Sequence, residues 1–187
     1  FAKTMLEIYE GEMIQIKHQR VEEQNLRDYL RRIKRKTALL LSSSCELGAL
    51  VSEADQRTIT RLSRFGYYAG MSFQITDDIL DFTATDKALG KPAGSDSLSG
   101  HLTLPALYLK DDPVFRQYMQ KAFEDMLTEE ERKEMLTYVR RSDAIHQATV
   151  VSDLYLEKAR QQLEPLKDCK AKEAFIQFAD FIGRRNF

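Results

Sequence analysis

The stretch Phe73-Gln74-Ile75-Thr76-Asp77-Asp78-Ile79-Leu80-Asp81-Phe82 decides how the chain is read. Gln74, Asp77, Asp78 and Asp81 stand at i, i+3, i+4 and i+7, a spacing that puts all four on one face of an α-helix. Phe73, Ile75, Ile79, Leu80 and Phe82 fill the other positions, so the helix is predicted to be mostly buried. Three carboxylates within two turns repel one another, and burial raises the cost of ionising them. A fold keeps that arrangement when cations neutralise it. An acidic surface stripe capped by Lys or Arg is the simpler reading, but the apolar flanks on both sides weigh against it. Carboxylates beside an amide suit Mg²⁺, a hard cation that takes oxygen ligands and shares its shell with phosphate. The expected metal ligands are therefore Asp77, Asp78 and Asp81. Gly66 and Gly70, near the same stripe in the preceding turns, read as leaving the space above it open.

Outward from this helix, almost everything else is predicted helical. Phe1, Met5, Ile8, Met13 and Ile16 recur at helical spacing over 1–21, and Leu26, Tyr29, Leu30 and Ile33 do so on a very basic background. Residues 37–51 are apolar nearly all round, the mark of a buried helix. Asp55 or Thr58 is positioned to cap the helix that runs through Phe65 and Phe73 to Phe82. The one long turn-rich segment holds Gly90, Pro92, Gly94 and Gly100 with Ser95, Ser97 and Ser99. Beyond it, Pro105 and Pro113 fit the first turns of helices. Thr128-Glu129-Glu130-Glu131 is a capping-box pattern, and 142–163 and 170–182 complete the series. No period-2 run of β-branched residues occurs. The fold class is all-α, a helical bundle in a single domain.

Composition narrows the function. Of 187 residues, 28 are Lys or Arg and 29 are Asp or Glu, a formal net charge of −1, so nothing draws the whole chain to nucleic acid or an anionic membrane. Any anion site must be local. No apolar run approaches the ~18 residues of a spanning helix, and no secretory leader is expected at Phe1. Cys45 and Cys169 are too few for a disulfide scaffold, which points to a reducing, cytoplasmic compartment. Two cations are placed to share an anion with the acidic stripe. Arg31, Arg32, Lys34, Arg35 and Lys36 form a dense run that reads mostly as a solvated helix face, but Lys36-Thr37 stands where polar gives way to apolar sequence, and a lysine there can reach into a cavity. Lys91 lies in Gly90-Lys91-Pro92-Ala93-Gly94-Ser95-Asp96, about ten residues beyond Asp81 and able to fold back over it.

These residues resemble a known family. Phe73-Gln74-x-x-Asp77-Asp78-x-x-Asp81, then Gly90-Lys91-Pro92-x-Gly94-x-Asp96 and Thr103-Leu104-Pro105, are similar to the second aspartate-rich region of the trans-isoprenyl diphosphate synthases. Arg35-Lys36-Thr37-Ala38-Leu39-Leu40 resembles that family's Lys-Thr motif, and Gly11-Glu12-x-x-Gln15 its preceding helix motif. Tyr29-Leu30-Arg31-Arg32-Ile33, Gly66-Tyr67-Tyr68-x-Gly70-Met71-Ser72 and Gly183-Arg184-Arg185-Asn186-Phe187 resemble one branch, the large catalytic subunits (component II) of two-component heptaprenyl or hexaprenyl diphosphate synthases.

The resemblance implies a Mg²⁺-dependent prenyltransferase of the isoprenoid synthase fold, condensing isopentenyl diphosphate onto an allylic prenyl diphosphate. Within the branch this is farnesyl to heptaprenyl diphosphate, for the menaquinone side chain. It implies that Asp77 and Asp81 bind metal directly or through water with Asp78 in support, and that Lys36 and Lys91 bind the diphosphate. Thr37 and Gln74 would lie near the allylic carbon and at the diphosphate. A small regulatory subunit (component I) or a second copy of the chain is the implied partner. Arg184 and Arg185 either close over a substrate diphosphate or form a basic tail. The likeness extends to the C-terminal half to two-thirds of the family's length, so residues 1–187 read as the C-terminal part of one polyprenyl synthase domain, and this chain alone is expected to be inactive. His101 stands where many members have lysine, which leaves its part in diphosphate binding open. Two other readings remain: another enzyme of the class I terpenoid synthase fold, or a non-catalytic subunit.

Overall fold

The computed structural model describes residues 2–17, 24–100 and 102–185, which are helical with no strand among them. Helix α1 spans Ala2–Lys17 and α2 Leu26–Ile33; a π-helical turn, Lys34–Ala38, joins α2 to α3, Leu39–Val51. Asp55 opens α4, Gln56–Thr83, its carboxylate accepting the amides of Arg57 at 2.9 Å and Thr58 at 3.0 Å. At 28 residues and ~1.5 Å per residue, α4 is about 42 Å long and forms the axis of the molecule. One-turn helices α5 (Asp86–Leu89) and α6 (Ser95–Leu98) punctuate the turn-rich segment, followed by α7 (Leu104–Tyr108) and α8 (Pro113–Phe123). Helices α9 (Glu129–Arg141), α10 (Ala144–Leu163) and α11 (Lys170–Gly183) close the chain. Asp112 caps α8, and Thr128 and Glu131 form the reciprocal capping box that starts α9.

Helix α4 packs against α3 on one side and α10 on the other. Its N-terminal half, with Leu62, Phe65 and Ala69, shares a core with Leu156, Leu163 and Ile182 of α10 and α11. Its C-terminal half, with Met71, Ile75 and Phe82, shares another with Tyr29, Ile33, Leu104, Phe115 and Met135. The long helix therefore holds one end of the bundle and presents the acidic stripe at the other.

Two expectations change. Residues 37–51 were expected to form a buried helix, yet α3 buries Ala49 alone, and Leu40, Leu50 and Val51 are 46%, 57% and 83% exposed. The reason is which side meets α4. Small and hydroxyl side chains make that contact, as in the Ser42 hydroxyl donating to the Ser63 carbonyl at 2.9 Å, while Leu40 and Leu50 face outward and Leu39, Leu41 and Leu47 are half-buried. Gly66 and Gly70, in turn, do not open space. A Cβ on Gly66 would fall 2.5 Å from the Leu41 carbonyl oxygen, and one on Gly70 would fall 2.7 Å from the Ala38 Cα. They let α3 and the π-turn lie on α4 backbone against backbone.

Candidate active site

That close seam sets the site. Lys36 and Thr37 lie inside the π-turn, a widened helical geometry that often marks functional positions, and Ala38 presses on Gly70. Thr37 is thereby carried to Gln74, one turn further along α4. Its hydroxyl donates to Gln74 Oε1 at 2.6 Å, Gln74 Nε2 donates to Asp78 Oδ1 at 3.0 Å, and the Tyr29 hydroxyl donates to Asp78 Oδ2 at 2.8 Å. Because Asp78 only accepts when ionised, the amide of Gln74 must turn its NH₂ toward Asp78 and its oxygen toward Thr37. Thr37, having given its proton away, keeps oxygen lone pairs to offer elsewhere. Burial pushes the Asp78 carboxyl up to about 6, against the pull of its bonds from Gln74 and Tyr29 and the charges of Arg32 and Lys36.

Arg32, Lys36, Gln74, Asp78, Asp96 and Thr103 line a cleft of about 140 Å³ at this point. Lys36 is exposed at its edge and makes no ion pair or hydrogen bond among the described residues. It is a cation available to a ligand.

Asp81 sits one turn beyond Asp78 and holds the turn-rich segment. Its backbone carbonyl accepts the Gly94 amide at 2.7 Å and its Oδ2 the Asp96 amide at 3.2 Å; Gly94 reaches that position with φ +77°. Lys91 bridges Asp81 Oδ1 at 3.2 Å and Asp96 Oδ1 at 2.6 Å. Burial, and then the neighbouring Asp96 charge, push the Asp81 carboxyl up to about 6 despite Lys91. Burial alone would pull the Lys91 ammonium down, but Asp96 and Asp81 outweigh it and hold it above its ordinary value. Asp81 Oδ1 is sealed from water, and no hydrogen bond reaches it. Asp77 turns the other way: Arg185 donates to its Oδ1 at 3.3 Å, with the guanidinium stacked 4.6 Å from the centre of the Phe73 ring.

The predicted residues thus separate into groups. Lys36, Thr37, Gln74 and Asp78 meet in one cleft; Lys91 meets Asp81 beside it; Asp77 faces the end of α11. Among the described residues, no three His, Cys, Asp or Glu side chains converge on one point. Arg184 is exposed, whereas Arg185 is the partner of Asp77. His101, the surroundings of Gly11 and the side chains of Glu12 and Gln15 lie outside what the structure describes. Sequence reasoning missed Tyr29, Asp96 and Arg132. Arg132, of α9, donates to the Ala93 carbonyl at 2.8 Å and to Asp86 Oδ2 at 3.0 Å, so it clasps the loop that carries Lys91. Its only signal was an arginine directly after the acidic first turn of α9. Arg32, read as part of a solvated face, turns inward to donate to the Leu102 carbonyl at 2.7 Å.

Residues 1–153 match the family model described as polyprenyl synthetase. The chain belongs to the polyprenyl synthetase family. It is 46% identical over 186 residues to heptaprenyl diphosphate synthase component 2 of Bacillus subtilis (strain 168), an alignment covering 100% of this chain and 53% of that protein. The same-named protein of Geobacillus stearothermophilus is 46% identical over 189 residues, with 100% of this chain and 58% of that protein covered. The crystal structure of heptaprenyl diphosphate synthase from Staphylococcus aureus superposes with a TM-score of 0.91 at 41% identity, covering 100% of this chain and 58% of that one. This polyprenyl synthetase chain therefore spans just over half the length of the relatives it matches. Its all-helical fold is theirs, and no helix among the described residues is long and apolar enough to cross a membrane.

Proposed function

We propose that residues 1–187 are the C-terminal part of one polyprenyl synthase domain, and that the complete domain is a trans-polyprenyl diphosphate synthase. It condenses isopentenyl diphosphate onto an allylic prenyl diphosphate, extending farnesyl to heptaprenyl diphosphate for a menaquinone side chain, in the cytoplasm. The observation that carries this is the single hydrogen-bonded array from Thr37 through Gln74 to Asp78, edged by the uncommitted ammonium of Lys36.

Each residue has a task that follows from its surroundings. Lys36 and Lys91 attract the diphosphate as point charges. Thr37, oriented by its bond to Gln74, turns oxygen lone pairs toward the allylic carbon as positive charge develops there, and a preorganised dipole needs no reorientation at that moment. Tyr29 holds Asp78 and so fixes Gln74. The donor chemistry suits Mg²⁺: Asp77, Asp78 and Asp81 offer only hard oxygens, and the buried Asp81 Oδ1 faces one charge, the Lys91 ammonium at 3.2 Å, with its hydrogen-bonding capacity otherwise unfilled. When bound, Mg²⁺ would draw charge off the departing diphosphate. The three carboxylates do not converge on one point among the described residues, so further ligands are needed, and this chain alone is inactive. A small second subunit (component I) or a second copy of the chain completes the assembly.

The test is prenyl transfer from farnesyl diphosphate and isopentenyl diphosphate with Mg²⁺. The complete domain, with its partner subunit, should yield a heptaprenyl product and the 187-residue chain none. Absence of elongation by the complete assembly would favour a non-catalytic subunit.

A further inference from the structure

Arg32 lies within a run of five cations and differs from its neighbours in where it points. Its guanidinium donates to the Leu102 carbonyl at 2.7 Å and to Gln24 Oε1 at 3.3 Å, and lies 5.4 Å from the centre of the Tyr29 ring. Gln24 in turn accepts the Leu102 amide at 3.1 Å and donates to the Gly100 carbonyl at 2.9 Å. Both acceptors of Arg32 are neutral. Asp78 is occupied by Tyr29 and Gln74, and Asp96 by Lys91. Among the described residues Arg32 has no carboxylate within ion-pair distance, and its Nε makes no hydrogen bond. Burial pulls its pKa down from the ordinary value, yet a guanidinium stays charged. A largely buried cation with no carboxylate in contact is costly unless an anion offsets it, and this one lines the same cleft as Lys36.

We infer that Arg32 is a substrate-binding residue, its unused N–H edge gripping a phosphoryl oxygen of the diphosphate held at Lys36. Lys36 supplies a mobile point charge at the rim, and Arg32 a planar fork fixed against Leu102 and Tyr29, which sets where the phosphoryl group stops. The inference rests on the diphosphate reading of the cleft.

Calorimetric binding of inorganic pyrophosphate with Mg²⁺ to the complete domain, beside a thermal melt, tests it on Arg32→Gln, Arg32→Lys and Lys36→Gln. Loss of a charge-assisted contact should weaken binding roughly 10- to 100-fold in Arg32→Gln. Arg32→Lys should regain part of that, and the salt dependence of Kd should become shallower in Arg32→Gln alone of the two. If Arg32→Gln binds as wild type while Lys36→Gln does not, Arg32 merely braces Leu102 and the inference falls, with the diphosphate reading intact. If Arg32→Gln fails to fold, Arg32→Lys decides: wild-type affinity overturns the inference, and a several-fold loss at unchanged Tm supports it. No pyrophosphate binding by the wild-type complete domain defeats both.

Discussion

Replacing Gly70 with alanine puts one methyl into the seam between α4 and the π-turn. The new Cβ would lie 2.7 Å from the Ala38 Cα and 3.2 Å from its Cβ. Carbon atoms rest at about 3.8 Å, so the two backbones must separate by about 1 Å, and the first obstacle is main chain, which cannot swing aside. The Thr37–Gln74 bond of 2.6 Å spans the same seam and would stretch past the range of a hydrogen bond. Stability changes modestly, because alanine gains about 1 kcal/mol in helix propensity over glycine while overpacking costs about 1–3 kcal/mol. The net is a loss of roughly 0–2 kcal/mol, or about 0–8 °C in Tm. Catalysis should fall much further, on the order of 10²-fold, as expected when a catalytic group is misplaced by 1 Å. The assay is steady-state prenyl transfer by the complete domain beside a thermal melt. Gly48→Ala is the internal control: nothing lies within 4 Å of its Cβ, so it should stabilise by up to about 1 kcal/mol and leave the rate unchanged. A wild-type rate in Gly70→Ala would refute the idea that this seam positions Thr37.

Other outcomes follow from the same geometry. Lys36→Ala in the complete domain should reduce kcat/KM by on the order of 10²-fold with Tm unchanged, since Lys36 is exposed and unpaired; a fall in Tm with normal turnover would contradict its role. Asp78 and Asp81 each titrate at about 6 in the fold against ~3.9 when unfolded. Their folded pKa values are raised, so the stability they confer is present below ~4 and lost as pH rises through 6. The metal-free chain should therefore melt higher at pH 5.5 than at pH 7.5, until groups held low, such as Glu131 at about 2 beside Lys121, begin to protonate and reverse the trend; Asp78→Asn should flatten the rise. Arg132→Met removes the clasp on Asp86 and Ala93, and should cost about 1–3 kcal/mol and speed hydrogen exchange at the Gly94 and Asp96 amides; unchanged exchange there would show that the loop holds itself.

The sequence revealed what local rules govern. Helix α4 was legible because its apolar residues keep a 3.6-residue period and Asp55 caps it, and Asp112, Thr128 and Pro105 announce helix starts by chemistry confined to one turn. The meeting of Lys36, Thr37, Gln74 and Asp78 was legible in part, since all four residues stand in motifs but nothing local says which of them touch. What escaped depends on partners far along the chain. Arg32 is written no differently from its solvated neighbours, and only the return of Leu102 turns it inward. Gly66 reads as a gap until Leu41 is laid on it. The three aspartates share a face, yet Tyr29, Lys91 and Arg185 arrive from three directions and take one each.

The π-turn at Lys34–Ala38 makes this stretch sensitive to length in a way its composition does not suggest. A turn closed one residue wider than an α-turn is a single-residue insertion accommodated without breaking the helix. Deleting any one residue there would let a regular helix form, a gain in local backbone terms. Because the widened turn takes up that residue locally, the helix on its N-terminal side would stay close to its present phase against α3, and Tyr29 would keep its bearing on Asp78. What would go is the bulge itself, and with it the placement of Lys36 and Thr37 at the cleft. In this segment the count of residues, beside their identity, decides which side chains reach the site.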